Sequence, residues 1–342
     1  MDLNWRLADL TPPSDSAPTA FSCFHCGGGS TMGYKRAGFR VLGGVEIDPK
    51  MMAMYRANHH PAHSFLMGVQ DFAILPDEKI PDALRDLDVL DGSPPCSSFS
   101  TSGTRDKDWG EKKVFREGQA AQVLDDLFFH FIAVADRLRP KVVVAENVRG
   151  LIIGKARGYV KMIFERFNAA GYDAQLFLLN ASAMGVPQRR ERTFFIARRR
   201  DLALPAIRLE FNGAPIVAGA ALAGAAGNGR RLTVEAAALW AKCKAGDHLG
   251  TVHRNGSRFS EFKLNEGEVA NTVTGNSGAQ LMRWDEPRHL SVDEVRRLQT
   301  FPVDYDFGKN EPHYVCGMSV PPFMMERVAA EIRTQLLEAR DG

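Results

Sequence analysis

The stretch that decides the fold is DGSPPCSSFS, residues 91–100, which follows a short apolar run at Leu87 to Leu90. The apolar run predicts a buried strand that ends at Asp91, and open α/β sheets carry their chemistry on the loops that leave such strands. The two prolines before Cys96 remove backbone freedom, so the thiol is presented in a fixed direction. A thiol in that place is either a nucleophile or a structural cysteine, and the loop alone does not separate the two.

The bulk composition bounds the class of protein. The chain has 342 residues, 44% hydrophobic and 25% charged, which predicts a soluble globular protein with two domains. A net charge of +2 neither requires nor excludes a nucleic-acid partner. Five scattered cysteines argue against a disulfide framework and indicate a reducing cytoplasm. We expect no signal peptide and no membrane span, because Met1 to Leu10 is charged and the longest low-charge run, Gly213 to Gly227, is short.

A second motif lies near the start of the chain, where an apolar run reaches three glycines, Gly27 to Gly29. Glycines let a backbone approach a ligand, and the helix that follows offers its first amides, so the pattern predicts a nucleotide-type loop. Cys23 and Cys26 have CxxC spacing, but no second pair completes a tetrahedral zinc site. We therefore expect these cysteines to line the strand and loop, and we predict no metal.

Acidic residues end the next two predicted strands. The run Val41 to Ile47 predicts a strand, and Asp48-Pro49 predicts the start of the following helix. Glu46 suits an acceptor of ribose hydroxyls, with a solvated strand end as the alternative. Asp71 lies where a third strand would end, so it can accept from an adenine amino group while Phe72 covers the ring.

A carboxylate also ends a strand in the middle of the chain. Lys141 to Ala145 is a compact β-branched run that leads into Glu146, and in a parallel sheet Glu146 faces the same rim as Cys96. The apolar residues of Gln119 to Leu138 recur at helical spacing, so we expect a helix whose aromatic side chains lie in the core.

The run from Gly185 to Ala197 combines charge with an apolar strand. Alternation along a strand would place Gln188, Arg190 and Arg192 on one face. A charge run is usually a solvated face. Because this one continues into an apolar strand, it predicts a partly buried polar end suited to an anionic substrate or to phosphates.

The composition changes from about Asp201, where Ala/Gly-rich loops replace the regular pattern. This change predicts a smaller, loop-rich domain over 201–290. The regular pattern returns when Ser291 and Glu294 predict a capping box for a helix through Gln299, and a final helix is expected to end at about Leu337.

Taken in order, these motifs resemble the cytosine-5 methyltransferase family, of the stand-alone bacterial or phage type. The resemblance covers most of the chain except 201–290. It implies S-adenosylmethionine as methyl donor and a cytosine in nucleic acid as target. It also implies a doubly wound, Rossmann-like catalytic domain (1–200 and 291–342) with an inserted target-recognition domain (201–290). The motifs that carry it are the glycine loop, Glu46, Asp71, Pro95-Cys96 with Phe99-Ser100, Glu146-Asn147-Val148, Gln188 to Arg192, and Gly317 to Pro322.

Two motifs depart from the family pattern. The first family motif usually reads Asp-Leu-Phe-x-Gly-x-Gly-Gly, whereas this chain has Ser22 in place of the Asp and Cys26 in place of a Gly. The last motif usually has Asn after Gly317, where this chain has Met318. Both changes lie near the expected cofactor, so they bear on its affinity more than on the type of reaction.

The resemblance and the chemistry of cytosine together assign roles to residues. Carbon C5 is a poor nucleophile, and addition of the Cys96 thiolate at C6 would activate it. Glu146 would act on N3, while Arg192 would bind the ring oxygen or hold Cys96 and Glu146 in place. The expected cofactor residues are Phe24, His25, Cys26, Gly27, Gly28, Gly29, Glu46, Ile47, Asp71, Phe72, Pro95 and Ser319. The expected DNA contacts are Ser100, Arg190, Arg254 and Arg258, for which plain surface is the alternative.

The expected function is therefore methylation of C5 of a flipped-out cytosine in a specific sequence of double-stranded DNA. We expect a cytoplasmic monomer, with a cognate restriction endonuclease as a further partner in the cell. Two alternatives stay open: the same chemistry on tRNA, and a DNA-binding protein that does not methylate. Phe99-Ser100 favours DNA over tRNA, while Cys26 and Met318 motivate the second alternative.

Overall fold

The chain folds as two compact units. The computed structural model describes residues 2–95, 126–153, 157–275 and 281–338, with the backbone of two short strands at 112–113 and 122–123. The sheet unit consists of Thr11–Leu179, Glu191–Glu210 and Glu326–Gly342. The loop-rich unit consists of Met1–Leu10, Asn180–Arg190 and Phe211–Met325.

A seven-stranded sheet is the centre of the sheet unit. Its strands are β1 (Thr19–Cys23), β2 (Arg40–Glu46), β3 (His63–Leu66), β4 (Val89–Gly92), β5 (Val142–Val148), β6 (Tyr172–Asn180) and β7 (Glu191–Arg199). They lie in the order β3-β2-β1-β4-β5-β7-β6. Neighbours from β3 to β5 are parallel, and β7 is antiparallel to β5. The strand order reverses between β1 and β4, as in a doubly wound fold. The predicted α/β class with a mostly parallel, Rossmann-like sheet is confirmed.

Helices accompany the sheet, and their starts follow local sequence signals. They are α1 (Gly29–Arg36), α2 (Pro49–His59), α3 (Val69–Ala73), α4 (Leu127–Leu138) and α5 (Arg157–Ala169). The cap predicted for α2 is confirmed, because Asp48 Oδ1 accepts from the backbone amide of Lys50 at 2.8 Å. The helix predicted from Gln119 begins only at Leu127, and Gln122–Val123 is instead a short strand.

The core of the sheet unit is built on both faces of the sheet. Phe21 of β1, Phe131 of α4 and Phe195 of β7 are fully buried, together with the valines 142–144 of β5. Parallel strands covered on both faces read as continuous apolar runs, which explains why β1, β4 and β5 were visible in the sequence. Polar residues are therefore confined to the ends of these strands.

The loop-rich unit has short elements. Its helices are α6 (Ala218–Leu222), α7 (Val234–Lys242), α8 (Val292–Leu298), α9 (Pro312–Met318) and the start of α10 (Pro322–Ile332). The capping box predicted for α8 is confirmed, since the amide of Glu294 donates to Ser291 Oγ and the amide of Ser291 donates to Glu294 Oε2. A π-helical turn, Arg333–Leu337, continues α10 to the predicted end.

The boundaries of the two units differ from the predicted domain boundaries. The loop-rich unit includes Asn180–Arg190 and extends through Phe211–Met325, beyond the predicted 201–290. The division into a catalytic and a target-recognition domain stays a prediction. Within the described residues, none of the helices combines the length and the apolar character needed to span a bilayer.

Candidate active site

The carboxyl ends of three parallel strands carry acidic side chains in the sheet unit. Glu46 ends β2, Asp91 lies one residue before the end of β4, and Glu146 lies near the end of β5. All three are buried, with at most 8% of their surface exposed. Doubly wound sheets bind ligands at this edge, where the strand order reverses. The predicted edge therefore carries the carboxylates that the sequence placed on it.

Glu146 and Arg192 form an ion pair between β5 and β7. Arg192 Nε lies 3.0 Å from Glu146 Oε1, and the two side chains are 15% and 10% exposed. Burial lowers the pKa of Arg192, and the charge and hydrogen bond of Glu146 oppose that shift. The guanidinium also donates from Nη1 to the backbone carbonyl of Glu191 at 2.8 Å. The structure therefore brings together two of the three residues assigned to catalysis and fixes the carboxylate of Glu146.

Asn147 holds the start of the loop that leads to the predicted nucleophile. Its Nδ2 donates to the backbone carbonyl of Pro94 at 2.9 Å in a buried position. The backbone carbonyl of Asn147 in turn accepts from Thr193 Oγ1 at 3.1 Å. Sequence reasoning gave Asn147 no separate role, although a polar residue at the end of an apolar strand was a usable signal. Cys96 and Ser100 lie outside the described residues, and Pro95 is the last described residue before them.

A second polar contact joins β1 to β4 near the same edge. Ser22 Oγ donates to Asp91 Oδ2 at 2.8 Å, and the two residues are direct partners in the parallel register. Burial raises the pKa of Asp91 to about 7, an effect that Ser22 opposes and Glu146 reinforces. Sequence reasoning identified neither side chain as a site residue, because the register of two strands cannot be read from the sequence.

The predicted glycine loop connects β1 to α1 with a strained backbone. Phe24 and Cys26 have φ values of 57° and 45°, which non-glycine residues rarely adopt. Gly28 also has a positive φ of 69°, and a Cβ there would lie 2.3 Å from His59 Nε2. No side chain caps α1 at Gly28, so the first amides of the helix are not taken by a capping side chain. The remaining predicted residues, Gly27 and Gly29, lie in this loop and at the first position of α1.

Glu46 is tied to the glycine loop. Its Oε2 accepts from the backbone amide of Cys26 at 3.1 Å, and its Oε1 accepts from the amide of Asp48 at 2.9 Å. Burial raises the pKa of Glu46, and these backbone hydrogen bonds oppose the shift. The two oxygens of a carboxylate together have about four lone-pair sites, so these bonds do not use all the acceptor capacity of Glu46. Ile47, the next predicted cofactor residue, is partly buried.

His25 packs beneath the loop. Its ring stacks on Tyr55 of α2 with centroids 3.7 Å apart and planes inclined by 23°. Burial lowers the pKa of His25 to about 3, so the imidazole is neutral at physiological pH. This packing makes His25 a support for the loop in addition to a predicted cofactor contact.

The predicted adenine contacts Asp71 and Phe72 lie in different environments, one exposed and one buried. Both lie on the short helix α3, not at a strand end. Asp71 is exposed in the first turn of that helix. Phe72 is 1% exposed and packs in the core, with its ring centroid 5.7 Å from that of Phe21 and 4.9 Å from that of Phe65. The prediction that Phe72 covers an adenine ring is wrong for this structure, because its ring faces the core.

Arg190 is a buried residue of the loop-rich unit. It is 1% exposed, and its guanidinium donates to the backbone carbonyls of Val273, Gly317 and Ser319 at 2.7–3.0 Å. The predicted DNA contact is therefore wrong for this structure, since a phosphate does not reach a guanidinium held in this way. Ser319 is also buried, and its Oγ donates to the carbonyl of Val315 at 2.8 Å.

The two arginines predicted to contact DNA from the loop-rich unit lie near its surface. Arg254 is exposed. Arg258 has a positive φ of 69° and forms ion pairs with Glu261 at 3.2 Å and with Glu235 at 3.7 Å. Arg254 is thus accessible to a phosphate or base. Arg258 would have to break its ion pairs with Glu261 and Glu235 before it could bind one.

The chain resembles known proteins both in sequence and in fold. A family model described as C-5 cytosine-specific DNA methylase matches residues 19–216 and 228–334. The chain is 26% identical to the type II methyltransferase M.NgoPII of Neisseria gonorrhoeae, over 94% of this chain and 99% of that protein. It is 29% identical to the type II methyltransferase M1.HphI of Haemophilus parahaemolyticus, over 92% of this chain and 86% of that protein. A solved structure assigned to a DNA modification methyltransferase encoded within an E. coli prophage matches with a TM-score of 0.73 at 20% identity, covering 93% and 99% of the two chains.

Proposed function

Because the chain belongs to the C-5 cytosine-specific DNA methylase family, and so is a DNA cytosine methyltransferase, we propose how it works. It transfers a methyl group to C5 of a cytosine flipped out of duplex DNA, through a covalent bond between Cys96 and C6. The observation that carries the proposal is the buried pair of Glu146 and Arg192, 3.0 Å apart at the edge of the sheet from which the Cys96 loop departs. Asn147, the neighbour of Glu146, holds Pro94 of that loop.

Cys96 is the proposed nucleophile. Carbon C5 of cytosine is too weak a nucleophile to attack a methyl sulfonium, and addition of a thiolate at C6 converts the ring to an enamine. The new Sγ–C6 bond places carbanion character on C5. A new bond then forms between C5 and the methyl carbon as the bond from that carbon to the sulfonium sulfur breaks, and the donor leaves as a neutral thioether. Loss of the C5 proton to water and departure of the Cys96 thiolate from C6 restore the aromatic ring and the free enzyme.

Glu146 and Arg192 support the addition step. Negative charge develops on the ring as the thiolate adds, and a carboxyl group hydrogen-bonded to N3 stabilises it. Arg192 fixes Glu146 Oε1, so it positions that carboxyl group and brings positive charge to the same place. Removing either partner would leave a buried charge uncompensated, which is costly.

The glycine loop and Glu46 fit the methyl donor that this family uses, S-adenosylmethionine, which when bound supplies the electrophilic methyl group. The uncapped first amides of α1 can bind the carboxylate of its methionyl part. Glu46 keeps lone pairs for the ribose hydroxyls while two backbone amides hold it in place. We propose Phe24 to Gly29, Ile47 and Pro95 as neighbours of the same group, with Asp71 available for the adenine amino group.

The target base must leave the helix, because a thiolate cannot reach C6 within a stacked duplex. We propose that the loop-rich unit contacts the DNA through exposed residues such as Arg254, with Arg258 and Ser100 as further candidates. We also propose a cognate restriction endonuclease as a partner in the cell, because the relatives of this chain are named type II methyltransferases. We propose in addition that the protein is a cytoplasmic monomer.

Methyl transfer from labelled S-adenosylmethionine to duplex DNA tests this function, with tRNA offered in a parallel reaction. We expect label in DNA, none in tRNA, and none from a Cys96→Ser variant that still binds the donor in calorimetry. Label in tRNA alone would favour the tRNA alternative. Full activity of Cys96→Ser would remove Cys96 as the nucleophile. Bisulfite sequencing of DNA from cells that express the protein would then give the recognition sequence.

A further inference from the structure

The mechanism above makes no use of Asp91, a buried carboxyl group at the ligand-binding edge. Asp91 is 1% exposed, and Ser22 Oγ on the neighbouring strand donates to its Oδ2 at 2.8 Å. Polar groups of Ser30 and Tyr34 in α1 act on the same carboxyl group. One side chain of β4 is thus hydrogen-bonded to β1, the strand that leads into the glycine loop.

Keeping a carboxyl group in this position is costly. Burial disfavours its ionised form, and the nearby carboxylate of Glu146 disfavours it further. An apolar residue of similar size would avoid that cost if packing were the only requirement. Costly buried charges cluster at functional sites, so the contacts of Asp91 need an explanation beyond stability.

The sequence offers that explanation. The family usually has Asp at the position of Ser22, and this chain has a hydroxyl there. The register of β1 and β4 places Asp91 directly opposite Ser22. The acid and its partner therefore lie on neighbouring strands, and the carboxyl group is supplied by β4 where β1 lacks it.

Resting on the function proposed above, we propose that Asp91 is a positioning residue for methyl transfer. Its bond to Ser22 fixes the glycine loop, which begins two residues after Ser22, against the loop that leads from β4 to Cys96. The carboxyl group of Asp91 takes over the task of an acidic residue at position 22. Its role is to hold the donor-binding loop and the nucleophile-bearing loop in register, and it does not itself touch the reacting atoms.

A matched control lies at the other end of the same two strands. Asp88 precedes β4, and its Oδ2 accepts from the backbone amide of Thr19 at 2.7 Å and from Thr19 Oγ1 at 3.0 Å. This pair also joins β1 to β4 through a hydroxyl and a carboxylate, but it lies at the amino ends of the strands, away from the ligand-binding edge. A purely structural role for Asp91 would make the two pairs equivalent.

The test moves the carboxyl group from one strand to the other. We compare Asp91→Ser, Ser22→Asp and the double variant with the full-length wild type, measuring the Kd of S-adenosylmethionine by calorimetry, the KM and kcat of methyl transfer, and Tm. Asp91→Ser and Ser22→Asp should each weaken donor binding by about tenfold to hundredfold, since each removes or crowds the buried hydrogen bond that holds the start of the glycine loop. The double variant should return the Kd to within about fivefold of wild type, and so should the isosteric Asp91→Asn. Asp88→Asn should lower Tm and leave Kd and KM within about twofold.

Two results would overturn the proposal. One is a folded Asp91→Ser protein whose Kd, KM and kcat match those of Asp88→Asn. The other is a double variant that regains the wild-type Tm without binding the donor more tightly than Ser22→Asp, and this comparison holds even if Asp91→Ser does not fold. Failure of the function itself gives a different pattern, in which the wild type binds the donor but transfers no methyl group to DNA.

Discussion

The two ends of strands β1 and β4 carry the same kind of contact in different surroundings. At the amino ends, Asp88 binds Thr19 and also pairs with Lys141, whose Nζ lies 2.7 Å from Asp88 Oδ1. At the carboxyl ends, Asp91 binds Ser22 while the carboxylate of Glu146 raises its pKa further. A cation compensates the first carboxylate, whereas an anion opposes the second. The free-energy cost of ionising a buried carboxyl group therefore falls on the carboxyl ends of the strands, where doubly wound folds bind their ligands.

The largest expected effect falls on the carboxyl end. Glu146→Gln keeps the shape of the side chain but removes the carboxyl group that pairs with Arg192 and is proposed to act on N3, so we expect kcat to fall by about a hundredfold to ten-thousandfold. Methyl transfer to DNA at saturating donor measures it. Lys141→Gln, which loosens the amino-end pair, serves as the control and should leave kcat near the wild-type value. An equal loss of kcat in both variants would erase the contrast between the two ends.

A smaller loss is expected when the loop before Cys96 is released. Asn147→Ala removes the hydrogen bond to the Pro94 carbonyl and leaves that buried acceptor without its partner. We expect kcat to fall by about tenfold to hundredfold, because misplacing a reacting group by a small distance slows the step. The Kd of S-adenosylmethionine should stay unchanged in calorimetry. A variant that loses donor affinity and retains kcat would contradict the assigned role.

The pH dependence of stability should separate the two acids. The pKa of Asp91 is raised to about 7, from an ordinary value of 3.8, by burial and by Glu146. Between about pH 4 and pH 7 the folded state therefore holds a proton that the unfolded chain releases. Its contribution to stability is complete below about pH 4, falls as pH rises towards about 7 and is lost above about pH 7. Other groups that interact with this carboxyl group, such as Cys23, Tyr34 and Tyr55, keep raised pKa values through burial.

Urea unfolding between about pH 5 and pH 9 measures this effect. We expect the free energy of unfolding of Asp91→Asn to gain on the wild type as pH rises from about 5 to about 7, by at most about 1.4 kcal/mol for each pH unit, and to gain no further above about pH 7. Asp88→Asn should show no such gain. Parallel pH profiles for Asp91→Asn and the wild type would show that the carboxyl group is not protonated near neutrality.

The smallest effect belongs to the amino end. Asp88→Asn weakens a partly exposed pair with Lys141 and two hydrogen bonds to Thr19, so we expect a loss of about 1 kcal/mol. Urea unfolding at neutral pH would measure it. The loss should shrink in high salt, because ionic screening weakens the contribution of the Lys141 charge. A salt-independent loss would assign the effect to the hydrogen bonds alone.

Sequence reasoning reached the parts of the site that strand ends reveal. Glu46 and Glu146 were predicted because each follows an apolar run, and Asp48 and Ser291 because capping chemistry is local. Contacts between strands were not predictable in the same way. The pairs Ser22–Asp91 and Asn147–Pro94 join segments far apart in the chain, and only the register of the sheet brings them together.

The wrong predictions have physical causes as well. Arg190 belongs to a charge run that predicted a partly buried polar end suited to phosphates, but its guanidinium instead donates to backbone carbonyls inside the loop-rich unit. Phe72 follows an acidic residue in a pattern typical of an adenine site, yet its ring packs against Phe21 and Phe65. In both cases tertiary packing decided the environment, and a local pattern does not contain that information.

The measurement that tests the central claim most directly is covalent trapping. Duplex DNA containing 5-fluorocytosine is incubated with the full-length protein and S-adenosylmethionine. Fluorine replaces the C5 proton whose loss would release the enzyme, so the Sγ–C6 bond persists. The account predicts a protein–DNA adduct that survives denaturing electrophoresis, maps to Cys96 by mass spectrometry and is absent from Cys96→Ser. A wild-type protein that methylates unmodified DNA but leaves no adduct on the fluorinated duplex would contradict it.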